Sequence, residues 1–376
     1  MSQLRKKNQQ SFPFVALDSL PPLVCGFRSP KVAVVLNGNA RGVNNALISN
    51  IRRVLKNEDL FLSYDLAQAK FIARQIVNRA YDVVFCGGGD GTFMRCTTDI
   101  MELRPTKIPS FGILRLGTGN GLAETMGASK KGVAGLVADL RQVRVPTAFK
   151  PLPILRVEDQ LMTFVGVGLD AMILEDYCAV KNSLGKTPLR AFSEGAFGYT
   201  LAIAGRSIRR CLFEPQPEVI VRNEGATTRR INLDGEPIGR PISKGEVIFH
   251  GPITVAAAST IPFYGLGLRL FPQANKCTDR FQLRVGNVST PELLSQIPAI
   301  FRGEFQHKRV HDFLCTAISI HTPSRTPFQF GGDLAGQRRH VFINMTTVPG
   351  VVGPNHRSIT NEVPVAHFSK QPQLAS

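Results

Sequence analysis

The chain has 376 residues, 43% of them hydrophobic, which is enough to bury a large core and predicts two domains. Its formal net charge of +17 favours polyanionic partners, namely nucleic acid, anionic lipid headgroups or nucleotide phosphates. Aromatic residues are not interleaved with the basic ones, so no specific nucleic-acid partner is expected, and seven cysteines without a CxxC pair argue against a disulfide framework or a zinc knuckle.

The N-terminal stretch and the longest uncharged stretch bear on location. Asp18, Pro21 and Pro22 interrupt the apolar residues near the N-terminus, so we expect no secretory signal. The uncharged stretch 251–268 contains two prolines and three glycines, which argues against a membrane-spanning helix. We therefore expect a cytoplasmic protein that reaches any membrane from its surface.

Residues 1–145 alternate strand-like and helix-like segments. The runs KVAVVLN (31–37), YDVVFC (81–86) and SFGILRL (110–116) are apolar and mostly β-branched or aromatic. Segments with apolar residues at helical spacing separate them. This order predicts βα units around a mostly parallel sheet, and so an α/β N-terminal lobe.

Three polar or glycine-rich turns follow the predicted strands, at Asn37–Gly42, Gly87–Thr92 and Gly117–Gly121. Ligands of such sheets bind at the carboxyl ends of the strands, so we expect the three turns to share one edge. Glycine lets backbone N–H groups approach a phosphate closely. The stretch CGGGDGT lacks the endings of the common nucleotide loops, so a purely structural βα turn remains the alternative.

Short β-like runs dominate after Pro146, separated by glycine, proline and charged turns. They predict an antiparallel β-sandwich as a second lobe, interrupted by a helical insert at about 188–209. We place the domains at 1–145 and 146–344. A return of the C-terminal tail, about 345–376, to the first domain is left open.

Asp90 lies within the second glycine-rich turn. Phosphoryl transfer needs positioning, charge neutralisation and a base near the acceptor hydroxyl. The Asp90 carboxylate could hold Mg²⁺ through water or accept the hydroxyl proton. The alternative is that Asp90 caps the helix that follows, and the same choice between ligand contact and helix cap applies to Asn120.

The pair GGGDGT (87–92) and GTGNGLA (117–123) resembles the motifs of the diacylglycerol kinase catalytic-domain family, which includes bacterial lipid kinases and the sphingosine and ceramide kinases. VVLNGNARG resembles the family's first nucleotide-binding turn, with Gly38 where proline is commoner. The segments 164–171 and 259–285 resemble parts of its second lobe. GGDGT also occurs in NAD kinases, so an NAD kinase-like enzyme is the alternative.

The resemblance implies an NAD kinase/diacylglycerol kinase-like fold and an ATP-dependent lipid kinase acting on a hydroxyl of diacylglycerol, ceramide or a sphingoid base. Residues 1–145 would then bind nucleotide and residues 146–344 lipid, with ATP and Mg²⁺ as cofactors. By position, Asp90 inherits a metal contact, and the nucleotide contacts fall on Asn37, Gly38, Gly87, Gly88, Gly89, Gly91, Thr92, Gly117, Thr118 and Asn120.

The C-terminal third departs from the family pattern. The family usually has an Asp-Gly-Glu whose glutamate is a candidate base, whereas PFQFGGDLAG has Gly331 in place of the first acid and Asp333 in place of the glutamate. We predict that Asp333 is catalytic. A literal Asp-Gly-Glu at 234–236 is interpreted as a hairpin turn and kept in reserve. The loss at Gly331 leaves open a catalytically silent lipid- or nucleotide-binding module.

Asp279 occupies a position where some relatives hold a structural Mg²⁺. Here Arg280 replaces the family's glycine, so a turn contact is an equal alternative for Asp279. The partners implied are a lipid substrate and an anionic membrane at its inner face, with the protein peripheral to it. A homodimer is left open.

Overall fold

The computed structural model describes residues 29–53, 55–184, 216–265 and 267–356. The helical insert predicted at about 188–209 lies outside these residues, as does the chain after 356. None of the helices in the described ranges combines the length and apolar character needed to cross a bilayer.

Four parallel strands form the first part of the sheet: β1 (Val32–Asn37), β2 (Leu60–Ser63), β3 (Val83–Gly88) and β4 (Ser110–Arg115). Their spatial order is β4-β3-β1-β2. The helices of this part are α1 (Asn45–Arg52), α2 (Leu66–Asn78), α3 (Asp90–Glu102), α4 (Gly121–Thr125) and α5 (Val133–Arg141). The predicted parallel βα arrangement is confirmed, and the three turns start at the carboxyl ends of the neighbouring strands β1, β3 and β4.

The apolar runs form these strands because both faces of the parallel sheet are covered. Side chains alternate between faces along a strand, so Val34 and Leu36 join one core cluster while Ala33 and Val35 join another. Helix α1 contributes to the first cluster, and α2 and α3 to the second. This packing fixes where the strands end, and so where the glycine-rich turns lie.

The remaining strands are mainly antiparallel: β5 (Phe149–Val157), β6 (Gln160–Met162), β7 (Phe164–Gly168), β8 (Glu218–Asn223), β9 (Thr228–Ile231), β10 (Pro237–Ile242), β11 (Val247–Pro252), β12 (Val255–Ser259), β13 (Phe281–Gly286), β14 (Val310–Cys315), β15 (Ala317–Phe330) and β16 (Asp333–Val351). The described residues between them include the helices α6 (Leu169–Leu184), α7 (Thr290–Ser295) and α8 (Ile297–Arg302). The predicted antiparallel character of the second part is confirmed.

The parallel and antiparallel strands are hydrogen-bonded into one mixed sheet, and the sandwich layering of the second part stays a prediction. Within the described residues one hydrogen-bonded path runs β10-β9-β14-β13-β12-β7-β15-β16-β4-β3-β1-β2. The long strand β16 makes the connection, because it pairs with β15 and β5 and then runs parallel to β4, with Gly350 opposite Phe111. Sequence periodicity could not show this, since the pairing joins residues far apart in the chain. The domain division stays a prediction.

The literal Asp-Gly-Glu at 234–236 lies in the loop between the antiparallel strands β9 and β10. The Asn232 N–H donates to the Glu236 carbonyl oxygen at 3.0 Å, and Gly235 has a φ of 93°. A short turn of this kind needs positive φ, which glycine adopts without strain. The hairpin interpretation of this stretch agrees with the structure.

Candidate functional site

The three turns at the strand ends pack against one another. A Cβ on Gly117 would lie 2.2 Å from the Cα of Gly89, so the two glycine-rich turns touch backbone to backbone. The Asp90 N–H donates to the Gly119 carbonyl oxygen at 3.1 Å, and the Gly42 N–H donates to the Leu116 carbonyl oxygen at 3.0 Å. The turns therefore form one unit, and their close approach requires glycine, which has no side chain, at these positions.

Asp90 links two helices. It is the first residue of α3, for which Gly89 is the N-cap, and its Oδ2 accepts the Leu122 N–H of α4 at 3.1 Å. Asp90 Oδ1 is buried and has no hydrogen-bond partner. Burial raises the pKa of the Asp90 carboxyl, while the backbone N–H groups of Leu122, Gly121 and Ala123 act in the opposite direction. The side chain thus caps α4 rather than its own helix and keeps one oxygen available.

Asn37 ends β1 and joins the first turn to α3. Its Nδ2 donates to Thr92 Oγ1 at 3.2 Å, and its Oδ1 accepts the Asn39 N–H at 3.0 Å. Gly38 lies under the ring of Tyr64, which a Cβ on Gly38 would meet at 2.2 Å. A larger residue at position 38 would require the exposed Tyr64 ring to move.

Asn120 occupies the N-cap position of α4 but makes no side-chain cap. Its Nδ2 donates to the Gly117 carbonyl oxygen at 2.9 Å, and its Oδ1 is buried without a partner. Thr118, in the same turn, is exposed. The helix-cap alternative for Asn120 is therefore not what the side chain does, and a second acceptor oxygen is left beside the turn that holds Asp90.

A cavity of about 640 Å³ opens between the first turns and the end of β15. Five of the predicted site residues line it: Asn37, Asp90, Gly91, Thr92 and Asp333. The others do not line it, namely Gly38, Gly87, Gly88, Gly89, Gly117, Thr118, Asn120 and Asp279. The lining also includes Lys70 and Arg95 together with the carboxylates of Asp65 and Glu102, and Arg95 is paired with Asp99 at 2.9 Å.

Asp333 begins β16, directly after the turn Gly331–Gly332 that closes the β15–β16 hairpin. The φ values of these glycines are 59° and 93°, the left-handed region that two-residue hairpin turns require. Gly331 therefore has a conformational role at the place where the family carries an acid. Asp333 is exposed, yet the surrounding protein raises the pKa of its carboxyl by partial desolvation.

The residues around Asp90 fit a magnesium ion in part. Asp90 Oδ1 and Asn120 Oδ1 are buried oxygen acceptors without partners, the ligand type that Mg²⁺ prefers. Within the described ranges no three His, Cys, Asp or Glu side chains cluster as metal ligands. A bound Mg²⁺ would then complete its shell with phosphate oxygens and water. Asp279 lies 3.8 Å from the Arg280 guanidinium, and its structural metal stays a prediction.

The sequence assigned no role to three polar residues that lie behind the Asp333 turn. Asp170, Tyr264 and Gln329 form a chain of hydrogen bonds that ends at the Gly332 N–H. Two of them could have been noticed in the sequence as polar residues next to apolar ones. Asp170 directly follows the apolar run FVGVGL, and Gln329 is a lone amide within PFQF. Their meeting could not be read from the sequence, since they belong to different elements.

Residues 31–147 match the family model of the diacylglycerol kinase catalytic domain. This part of the chain belongs to the diacylglycerol kinase catalytic-domain family. The resemblance that the motifs indicated is therefore confirmed.

Two curated relatives each match about a third of the chain. The probable lipid kinase YegS of Salmonella arizonae is 28% identical over 127 residues, 31% of this chain and 42% of the relative. The probable lipid kinase YegS-like protein of Citrobacter koseri is 29% identical over 133 residues, 32% of this chain and 44% of the relative. The chain thus spans less than half the length of these curated relatives.

Solved structures extend the likeness to most of the fold. The crystal structure of a diacylglycerol kinase from Bacillus anthracis str. Sterne aligns with a TM-score of 0.55 at 14% identity, over 86% of this chain and 97% of that one. Another structure from that bacterium gives a TM-score of 0.60 at 16% identity, over 86% and 96%. At this identity the likeness supports the diacylglycerol kinase-like fold alone.

Proposed function

We propose that this protein is an ATP-dependent lipid kinase that phosphorylates a hydroxyl of a neutral amphiphilic lipid. One observation carries the proposal: Asp90 and Asp333, from opposite ends of the chain, line a single cavity of about 640 Å³ next to the glycine-rich turns. The family of residues 31–147 and the names of the curated relatives support the same reaction class.

The nucleotide is assigned to the turns of the first part. The Asn37 amide and Thr92 hydroxyl lie 3.2 Å apart at the cavity wall, and Gly91 has no atom within 4 Å of where its Cβ would be. This open backbone, with the first turn of α3, suits a phosphate group. When bound, Mg²⁺ would neutralise phosphate charge, and Asp90 with Asn120 are the residues of this chain that would hold it.

Asp333 is assigned as the base. Its carboxyl lies at the cavity wall, and a pKa raised by desolvation makes the carboxylate a stronger proton acceptor than an ordinary aspartate. Ionised Asp333 would accept the proton of the attacking hydroxyl. Asp90, with its unpartnered Oδ1, is the alternative acceptor.

The lipid is assigned to the side of the cavity made by the second part. Leu161, Met162 and Phe330 line it there, so an apolar chain would meet apolar side chains close to Asp333. Apolar walls distinguish chain shapes only weakly, so several lipids with a free hydroxyl are expected to be accepted. Association with an anionic membrane surface, favoured by the net charge of +17, would bring the protein to this substrate.

Transfer of labelled phosphate from ATP tests the proposal. The protein is incubated with mixed micelles that contain diacylglycerol, ceramide or sphingosine, and in parallel with NAD. Labelled lipid is the expected result. Labelled NAD without labelled lipid would replace the proposal with an NAD kinase, and ATP binding without any transfer would favour a silent binding module, which the glycine at Gly331 allows.

A further inference from the structure

A chain of buried hydrogen bonds ends at the turn that carries Asp333. The Gly332 N–H donates to Gln329 Oε1 at 2.8 Å, and Gln329 Nε2 donates to the Tyr264 hydroxyl oxygen at 2.6 Å. The Tyr264 hydroxyl in turn donates to Asp170 Oδ2. We call Asp170, Tyr264 and Gln329 the relay.

The side chains of the relay fill the space next to Gly166, where strand β7 has no side chain. Gln329 of β15 lies opposite Gly166 of β7, and a Cβ on Gly166 would come within 2.2 Å of the Tyr264 hydroxyl oxygen and 2.7 Å of Asp170 Oδ2. The Tyr264 ring packs against Phe164 at 4.9 Å between ring centroids. Any larger residue at Gly166 would displace the relay, so the local sequence is built around these polar groups.

Gln329 is only 3% exposed, and a buried amide costs free energy unless both of its ends are bonded. Here the oxygen accepts from the turn and the nitrogen donates to the tyrosine. A glutamine amide supplies a donor and an acceptor in one uncharged side chain of this length. Leucine would supply neither, and ionised glutamate only the acceptor.

The turn itself has few other restraints. The Gly331 N–H donates to the Phe164 carbonyl oxygen at 2.8 Å, and the Gly332 N–H has the bond to Gln329. Two consecutive glycines at positive φ are the least restricted residues a turn can have. Fixing both N–H groups therefore sets the direction in which the next residue, Asp333, leaves the turn.

We propose that Gln329 and Tyr264 are positioning residues that hold the Gly331–Gly332 turn and thereby direct Asp333 toward the acceptor hydroxyl. The catalytic part of this inference rests on the proposed function. The restraint that Gln329 places on the turn is a property of the folded chain, and it can be measured without substrate.

The test compares Gln329→Leu, Gln329→Glu and Tyr264→Phe with the control Gln337→Leu. Gln337 lies on the same hairpin, is exposed, and donates its amide N–H to Glu175 Oε1 at 3.2 Å. We expect Gln329→Leu and Tyr264→Phe to lower kcat about 10-fold to 100-fold with the KM for ATP unchanged, because small displacements of a reacting group cost rates of this size. The control is expected to keep kcat within about twofold.

Gln329→Glu distinguishes positioning from general stability. The titratable groups next to this position are Tyr264 and, through it, Asp170. An ionised glutamate would lack the donor and repel Asp170, whereas its protonated form can donate to the Tyr264 oxygen. The activity of Gln329→Glu per folded molecule, relative to wild type, is therefore expected to rise as the pH falls, with circular dichroism giving the folded fraction at each pH.

Hydrogen exchange of the Gly332 amide measures the hold directly in the absence of substrate. Exchange about 10-fold faster in Gln329→Leu, with unchanged exchange in Gln337→Leu, is the expected result. The inference is overturned if exchange at Gly332 stays at the wild-type rate, or if the variants lose thermal stability but keep kcat and the wild-type pH profile. A wild type that phosphorylates no lipid would overturn the proposed function. The exchange rate of the Gly332 amide would then still test whether Gln329 restrains the turn.

Discussion

Asp90 Oδ2 accepts the backbone N–H of Leu122 at 3.1 Å, so a carboxylate of one glycine-rich turn caps the helix that follows the other. The Asp90 N–H donates back to the same neighbouring turn, at the Gly119 carbonyl oxygen. These two bonds hold the turns together and leave Asp90 Oδ1 buried and unpartnered. An acceptor that is fixed in place but unused is what a metal or a proton would require.

Asp90→Asn should keep the fold, because the amide oxygen can still accept the Leu122 N–H. Turnover is expected to fall on the order of 100-fold, the usual scale for losing a proton acceptor or a metal ligand. Labelled phosphate transfer gives the turnover and circular dichroism the fold. A folded variant with near-normal turnover would remove Asp90 from the mechanism.

Asp333→Asn should lower turnover with little change in ATP affinity, because Asp333 belongs to the lipid side of the cavity. Asp234→Asn and Glu236→Gln are the matched controls, since they change the literal Asp-Gly-Glu in the β9–β10 hairpin and should be nearly silent. Turnover and nucleotide affinity are measured for all three. The reverse pattern would move the base to the hairpin.

Gly117→Ala should disrupt the site and Gly119→Ala should not. A Cβ on Gly117 would lie 2.2 Å from the Cα of Gly89, a backbone atom that cannot move aside, whereas nothing lies within 4 Å of a Cβ on Gly119. We expect a loss of about 2 kcal/mol or more in the free energy of unfolding for Gly117→Ala and a change within about 0.5 kcal/mol for Gly119→Ala. Urea unfolding measures both, and equal losses would refute the contact.

The pH dependence should show activity and stability changing in opposite directions. Burial raises the pKa of Asp90 and desolvation that of Asp333, so if both act ionised, kcat should fall with decreasing pH at a midpoint above ~3.9, the ordinary value for aspartate. The Asp90 carboxyl binds its proton more tightly in the folded state than in the unfolded state. Asp90 therefore adds its full contribution to the free energy of unfolding below the unfolded-state pKa. That contribution is lost as the pH rises through the folded-state pKa.

Asp90→Asn is therefore expected to raise the free energy of unfolding at neutral pH while it lowers turnover. Unfolding at neutral and acidic pH, compared with the wild type, checks the sign. A variant that is less stable than wild type at neutral pH but not at acidic pH would contradict it.

Vesicle binding should increase with the fraction of anionic lipid and decrease with salt. The net charge of +17 provides the attraction, at about 1 kcal/mol for each basic residue near the surface. Co-sedimentation with vesicles of phosphatidylcholine and phosphatidylserine, at low and high ionic strength, measures it. Equal binding to neutral vesicles at high salt would rule out an electrostatic contribution.

The sequence by itself determined the parallel strands, the three turns at their carboxyl ends and the position of Asp90 within one of them. These features are local: a run of apolar β-branched residues followed by glycine specifies a strand and its end within a few residues. The same reasoning identified the hairpin at 234–236, because the turn signal lies between two short strands that pair directly.

Only the tertiary structure decided what meets at the cavity. Asp333 joins Asp90 there because β15 and β16 form a hairpin that reaches the cavity, and because β16 also pairs with β4 of the parallel part. The relay behind Asp333 likewise unites residues of β15, α6 and the segment after β12. Such contacts depend on strand pairing and side-chain packing between distant segments, and these leave no periodic signal along the chain.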